Sequence, residues 1–366
     1  MFYKNILRPL LFLREPERAH EQTLNLLARL AFVEGALERF YSVEDRRLQV
    51  QIGSLTFPNP VGLAAGFDKN GIAIGTWPGF GFGFVEIGAV TGRAQSGNPK
   101  PRLFRLPKDH ALINRLGFNN EGAEAIAHRL ETSRIRGKPL RIPLGINIGR
   151  TKAVENKDAA ADYLFTFEKL YPFGDYFTLN VSSPNTPNLR QLQEKSHLVE
   201  LLYVIQEKNH ELAKQLNAEE KPVWVKIAPD MEFSQVDDIV EVAQSQKVAG
   251  IIATNATAFL REQLVTQINE PGGLSGKPLK AKATSFIRHL YKTTQGCLPI
   301  IGSGGIFTAE DAYEKIKAGA SAVQILTGFV YEGPAAVKRI NLGLLRLVER
   351  DGFRNISEAV GKGVEA

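Results

Sequence analysis

The chain has 366 residues, 43% hydrophobic and 23% charged, with a net charge of 45 − 39 = +6, the balance of an ordinary globular protein, which excludes disorder, collagen and fibre. At roughly 150 residues per domain this length suggests two domains, although α/β barrels of about 250 residues fold as one. The single cysteine, Cys297, excludes an internal disulfide, a cysteine-rich zinc site and a four-cysteine iron–sulfur cluster, and points to a reducing compartment.

Residues 1–45 read as a helical extension outside the main domain, which spans 46–366. Phe2, Ile6, Leu7, Leu10, Leu11 and Leu13 make one apolar face; Pro16 opens a second helix, striped by Leu24, Leu27, Leu30 and Ala31 and stopped before Gly35. Such a stripe is either packed core or an apolar tunnel and membrane-facing patch. No apolar run approaches the 18 residues of a membrane span, and Leu10 to Leu13 is too short and too soon charged for a signal peptide. The chain is therefore expected to stay on the cytoplasmic side.

From residue 58 onward, β-rich apolar runs alternate with amphipathic stretches, the mark of repeated βα units and a parallel sheet. There are eight such runs, at 59–66, 84–90, 144–149, 176–183, 223–230, 250–257, 298–305 and 322–328. Their continuous apolarity fits strands buried on both faces. Eight runs with polar residues at their C-terminal ends predict an α/β fold of the (β/α)8 barrel type. A doubly wound open sheet fits less well, because Gly62-Leu63-Ala64-Ala65-Gly66 lacks the spacing of a dinucleotide loop. Between runs, residues 91–143 read as a hairpin and a polar loop before a helix, and helices are expected at 196–216 and 308–318, the second capped by Thr308. Residues 351–366 read as a polar tail.

Four sets of residues could carry chemistry. Gly302-Ser303-Gly304-Gly305 and Leu326-Thr327-Gly328, at the last two strand ends, expose backbone N–H groups where barrels usually seat a phosphate. Lys69 and Lys226 also end strands, and a lysine among apolar strand residues needs an anion; Lys226 could form a Schiff base or offset charge on a cofactor. Asn114, Asn147, Asn180, Asn185 and Asn255 suit a planar ligand with alternating C=O and N–H groups, such as a pyrimidine or a flavin. Finally, the stiff loop Ser182-Ser183-Pro184-Asn185-Thr186-Pro187-Asn188 is a good mount for a reactive hydroxyl. The six histidines show no metal or triad spacing, so no metal site is expected, and basic residues scattered singly among acids argue against nucleic acid.

Six segments together carry a family resemblance: GLAAGFDKNG at 62–71, NRLGFNN at 114–120, NVSSPNTP at 180–187, VKIAPD at 225–230, GGLSGKP at 272–278 and IIGSGGI at 300–306. In this order, over nearly the whole chain, the sequence resembles the dihydroorotate dehydrogenases of pyrimidine synthesis. It looks like the quinone-dependent, membrane-associated class 2. Serine stands at the base position, Ser183, where the soluble class 1 has cysteine, and the extra N-terminal helices are a class 2 trait.

The resemblance implies one FMN at the barrel mouth, touching Ala65, Gly66, Phe67, Asp68, Lys69, Ala89, Asn147, Asn180, Lys226, Thr254, Gly276, Gly305, Leu326 and Thr327. Dihydroorotate would be held by Lys69, Asn114, Arg115, Leu116, Gly117, Phe118, Asn180, Asn185, Asn255 and Ala256. Ser183 would take the C5 proton, with Thr186 and Phe118 at the relay positions, and a ubiquinone or menaquinone would enter between the N-terminal helices near His20 and Arg105. The implied setting is peripheral, on the cytoplasmic face of the inner membrane, as a monomer. Three departures stand out: Ala89 replaces a common threonine, Ala256 falls in a usual Thr-Asn-Thr-Thr, and Leu326 replaces a frequent tyrosine. A soluble class 1-like enzyme with another acceptor, or a Schiff-base lyase on a phosphate-binding barrel, are the alternative readings.

Overall fold

The computed structural model describes residues 2–135 and 140–364. A π-helical turn at Tyr3–Leu7 leads into α1 (Arg8–Phe12), followed by α2 (Pro16–Arg29) and α3 (Glu34–Tyr41). The antiparallel hairpin β1 (Val50–Ile52) and β2 (Leu55–Phe57) precedes β3 (Val61–Leu63) and β4 (Phe84–Val90). A second hairpin, β5 (Leu103–Leu106) and β6 (Ala111–Asn114), then leads to α4 (Ala123–Ile135). There follow β7 (Leu144–Ile148), α5 (Ala159–Leu170), β8 (Tyr176–Asn180), α6 (Lys195–Gln215), β9 (Val223–Ile227), α7 (Phe233–Ser245), β10 (Gly250–Ala253) and β11 (Gly273–Gly276). The chain continues through α8 (Lys280–Thr294), β12 (Ile300–Ser303), α9 (Ala309–Lys317), β13 (Ala322–Ile325), α10 (Thr327–Glu332) and α11 (Ala336–Arg350).

Eight parallel strands close in the order β3-β4-β7-β8-β9-β10-β12-β13, with β13 hydrogen-bonded back to β3. The barrel expectation is met, and each of its strands lies within one of the eight apolar runs. Every residue of β4, β7, β8 and β9 is buried, as continuous apolarity on both faces requires. The expected hairpin in 91–143 is present, and β11 joins it as a third strand outside the barrel, pairing with β6.

Two expectations need correction at the chain ends, and the choice left open for residues 2–13 is decided. Gly35 does not stop a helix: it lies inside α3, after a 3-10 turn at Ala31–Val33. The apolar face of residues 2–13 is not core, because Phe2, Leu10 and Leu13 are 64%, 57% and 85% exposed. The face that packs is that of α2, where Glu17, Ala19 and Leu24 are buried. The C-terminal residues are not a plain polar tail either. Ile356 and Ala359 are buried, and the Gly361 and Gly363 N–H groups donate to the carbonyls of Ile316 and Lys317.

Helices α2 and α3 sit closely on the segment after β3. Thr76 Oγ1 donates to the Leu27 carbonyl at 2.7 Å, and a Cβ at Gly81, whose φ is +79°, would lie 2.7 Å from the Tyr41 carbonyl oxygen. Only glycine allows both that backbone angle and that approach.

Candidate active site

The site is built upward from a buried acid. Glu86 on β4 points into the barrel, wholly buried, and accepts from Asn147 Nδ2 (2.8 Å), Gln324 Nε2 (2.9 Å), Thr178 Oγ1 (3.1 Å) and Tyr176 OH (3.4 Å). Lys226 Nζ, on β9 and 4% exposed, lies 3.8 Å from Glu86 Oε1. Burial pushes the Lys226 pKa down while Glu86 opposes the fall. Burial, reinforced by Glu86, pushes the Tyr176 phenol well up, so that it stays a donor.

Because the Glu86 oxygens accept, Asn147 must turn its NH2 downward and its carbonyl upward. Its Oδ1 accepts from Asn180 Nδ2 at 3.0 Å. Asn180 Oδ1 in turn accepts from Ser182 Oγ at 3.0 Å and Asn255 Nδ2 at 3.3 Å. An amide chain with one direction thus rises from the floor to the loop that bears Ser183. Ser183, 6% exposed, accepts at Oγ from the Asn185 N–H at 3.3 Å, and Asn185 Nδ2 donates to Asn114 Oδ1 at 3.2 Å. Thr186 Oγ1 is buried with no hydrogen-bond partner among the described residues. Phe118, at φ +54°, packs against Gly149, where a Cβ would lie 2.8 Å from its ring. Lys69 Nζ donates to Asn119 Oδ1 at 2.7 Å, and burial pulls its pKa down to about 8.

Across the mouth, three chain turns meet. Ser275 Oγ and Thr327 Oγ1 are 2.8 Å apart. Gly276, at φ +103°, faces the His110 carbonyl and Thr327, and Gly305, at φ +75°, lies so close to Lys280 that a Cβ would come within 2.5 Å of its Cα. Thr254 Oγ1, also buried, has no partner among the described residues. This glycine cradle, the orphaned hydroxyl and the cation of Lys226 fit a phosphorylated planar cofactor such as FMN. Leu326 packs over Gly66, where a Cβ would lie 3.4 Å from its Cδ1. Ala89 is buried at the end of β4, and Ala256 faces Gly273.

Not every expected residue turns toward this space. The Asp68 carboxylate is wholly buried and accepts from the Ile72 and Ala73 N–H groups and from Trp77 Nε1, so it clamps a turn. Arg115 turns to the rim, pairing with Glu270 at 2.6 Å and donating to the Pro101 carbonyl, and Leu116 accepts from Asn98 N–H through its backbone. The rim encloses an open cleft of about 630 Å³ lined by Pro184, Asn185, Arg115 and Arg261.

On the far side of the 65–69 loop, Phe67 contacts the rings of His20, Trp77 and Phe329 edge-on at 5.0, 5.5 and 5.4 Å. Burial, with Lys69 adding, lowers the His20 pKa to about 4, so its ring is neutral at pH 7. Arg105 donates to the carbonyls of Leu11, Phe12, Arg14 and Pro16 and stands over the Phe12 ring at 4.6 Å. Arg102 grips both carboxylate oxygens of Glu17, and its Nη1 donates to the carbonyls of Ser96 and Asn98. Sequence reasoning missed Glu86, Gln324, Ser275 and the Glu17–Arg102 pair. A lone acid in the apolar run Phe84 to Val90 was the one available signal for Glu86.

A closed parallel barrel with a glycine cradle, a buried lysine and a column of amides at its C-terminal mouth defines a barrel enzyme that handles an anionic, amide-edged ligand. The family described as Dihydroorotate dehydrogenase matches residues 47–348. Among curated proteins, the Dihydroorotate dehydrogenase (quinone) of Gloeobacter violaceus is 49% identical over 356 residues, covering 97% of each chain. That of Nostoc punctiforme is 47% identical over 100% of this chain and 99% of its own. A crystal structure of DHODH from Eimeria tenella in complex with ferulenol superposes with a TM-score of 0.86 at 39% identity, covering 95% of both chains. The chain belongs to the dihydroorotate dehydrogenase family.

Proposed function

We propose that this protein oxidises dihydroorotate to orotate, using one FMN at the barrel mouth and a membrane quinone as final acceptor, in pyrimidine synthesis. The observation that carries the reading is the single-direction amide column from Glu86 through Asn147 and Asn180 to Asn255, which rises beside Ser183. FMN would be held by the backbone of Ala65 to Lys69, by Ala89, Asn147, Asn180, Lys226 and Thr254, and by Gly276, Gly305, Leu326 and Thr327 around its phosphate. When bound, FMN accepts the hydride from dihydroorotate and delivers the electrons to quinone.

The chain's own residues do the rest. Lys69 and Asn114, Asn180, Asn185 and Asn255 hold the substrate's carboxylate and imide edges, with Gly117, Phe118 and Ala256 shaping the wall and Arg115 and Leu116 contributing backbone. Ser183 Oγ takes the C5 proton. A serine hydroxyl is a weak base near neutral pH, and the Asn185 N–H donated to Oγ favours charge there. The partnerless hydroxyl of Thr186 suits it to pass the proton on. Lys226 offsets negative charge that builds on the seat.

Residues 1–45 form the quinone-side extension of the barrel domain. Among the described residues no helix is long and apolar enough to cross a membrane. Exposed Phe2, Leu10, Leu13, Phe32 and Phe40 suit peripheral attachment to the cytoplasmic face of the membrane, with His20 and Arg105 near the quinone. The protein is taken to act as a monomer. A Schiff-base lyase is disfavoured, since Lys226 faces Glu86 as an ion pair. Anaerobic mixing with dihydroorotate should bleach the yellow purified protein, and a ubiquinone analogue should restore the colour. A colourless protein without flavin overturns the reading.

A further inference from the structure

Barrel interiors of this kind are ordinarily filled by branched apolar side chains, and an acid there is costly unless it is bonded throughout. Glu86 is bonded throughout. Its four donors come from three other strands, β7, β8 and β13, so it can neither rotate nor reach the mouth. Two of them, Tyr176 and Thr178, stand four and two residues nearer the barrel floor than Asn180, which is paired in register with Lys226. Glu86 therefore lies below the ligand space, with Lys226 between.

Lys226 is the complementary half of the arrangement. Among the described residues, Glu86 is the one acid within ion-pair distance of its Nζ, and no hydrogen bond to another side chain or carbonyl holds that ammonium. An apolar-walled lysine with a single counter-charge depends on that charge to keep its proton. The remaining ammonium donors are left for whatever occupies the seat above.

We propose that Glu86 is a positioning residue for the redox reaction: held rigidly by four donors, it keeps Lys226 charged and aimed at the flavin seat. This rests on the reading that FMN occupies that seat. Removing the charge of Glu86 leaves Lys226 buried without a counter-ion, so the lysine sheds its proton and the electron-rich reduced ring loses its cation.

The test uses the full-length, flavin-loaded protein and reads the midpoint potential of the bound flavin by equilibration with reference dyes. Glu86→Gln should lower the potential relative to the parent, whereas Glu86→Asp, which keeps the charge, should stay near the parent value. In a Lys226→Met background, adding Glu86→Gln should lower the potential no further. The inference is overturned by an unchanged or raised potential in Glu86→Gln, or by an equal lowering with Lys226 already replaced. If Glu86→Gln does not load flavin, Glu86→Asp decides: a potential lowered to that of Lys226→Met overturns the proposal, and one near the parent supports it. A parent protein that carries no flavin defeats the functional reading instead, which separates the two failures.

Discussion

The barrel mouth and the N-terminal extension are held by opposite means. At the mouth, polar groups bond to one another in a fixed direction, from Glu86 through Asn147 and Asn180 to Asn255. The extension presents apolar surface outward and is fastened by a few polar staples: Glu17 to Arg102, Arg105 to four carbonyls, Thr76 to Leu27 and Tyr3 to Val330. Damage at the mouth should alter chemistry in a folded protein. Damage at a staple should alter stability and attachment first.

The sharpest contrast comes from Ser183→Ala. Reduction of the flavin by dihydroorotate, followed by anaerobic stopped flow, should slow by about 10²–10⁴-fold with flavin content and melting temperature unchanged. A small change would break the assignment of the mouth. Next, Arg102→Ala leaves the buried Glu17 carboxylate with the half-exposed Lys100, 3.5 Å away, in place of its hydrogen-bonded partner, and should cost about 1.5–3 kcal/mol in denaturant unfolding, while the absorbance spectrum of the bound flavin is retained.

His20 offers a pH test of the extension. Its folded pKa, near 4, lies below the ordinary 6.5, so the unfolded chain binds the extra proton between those values. Stability from this group is complete above about pH 6.5 and is lost as pH falls toward 4, by on the order of 1–3 kcal/mol. His20→Gln should flatten that part of the stability profile. The smallest effect on the fold should come from Phe32→Ser with Phe40→Ser, both exposed. Stability should shift by no more than about 0.5 kcal/mol per site, yet binding to anionic phospholipid vesicles should weaken severalfold in a sedimentation assay.

The barrel was legible because two-sided burial writes continuous apolar runs, and the mouth because polar residues gather where those runs end. Glu86 was not, because its reason for existing lies on β7, β8, β9 and β13, and no local pattern records such partners. Strand β11 was read as the motif GGLSGKP, since its strand character comes from pairing with β6 rather than from its own glycine-rich composition. The inward turn of Asp68 was likewise invisible: a carboxylate beside a lysine looks like a ligand contact until the N–H groups of Ile72 and Ala73 claim it. At the C-terminus, Ile356 and Ala359 are too few to show periodicity, yet they bury against α11 and its surroundings.

The bond between Glu17 and Arg102 spans 85 residues, and this sets an order of assembly. Helix α2 is made before the segment carrying Arg102, and its inward-facing acid has no ion-pair partner until Lys100 and Arg102 have been made and the 96–102 turn has formed. Burying that carboxylate earlier would strand it. Helix α2 is thus not free to dock when it is made, and a nascent chain that has not yet reached Arg102 must keep the apolar side of α2 in water or in the hands of a chaperone.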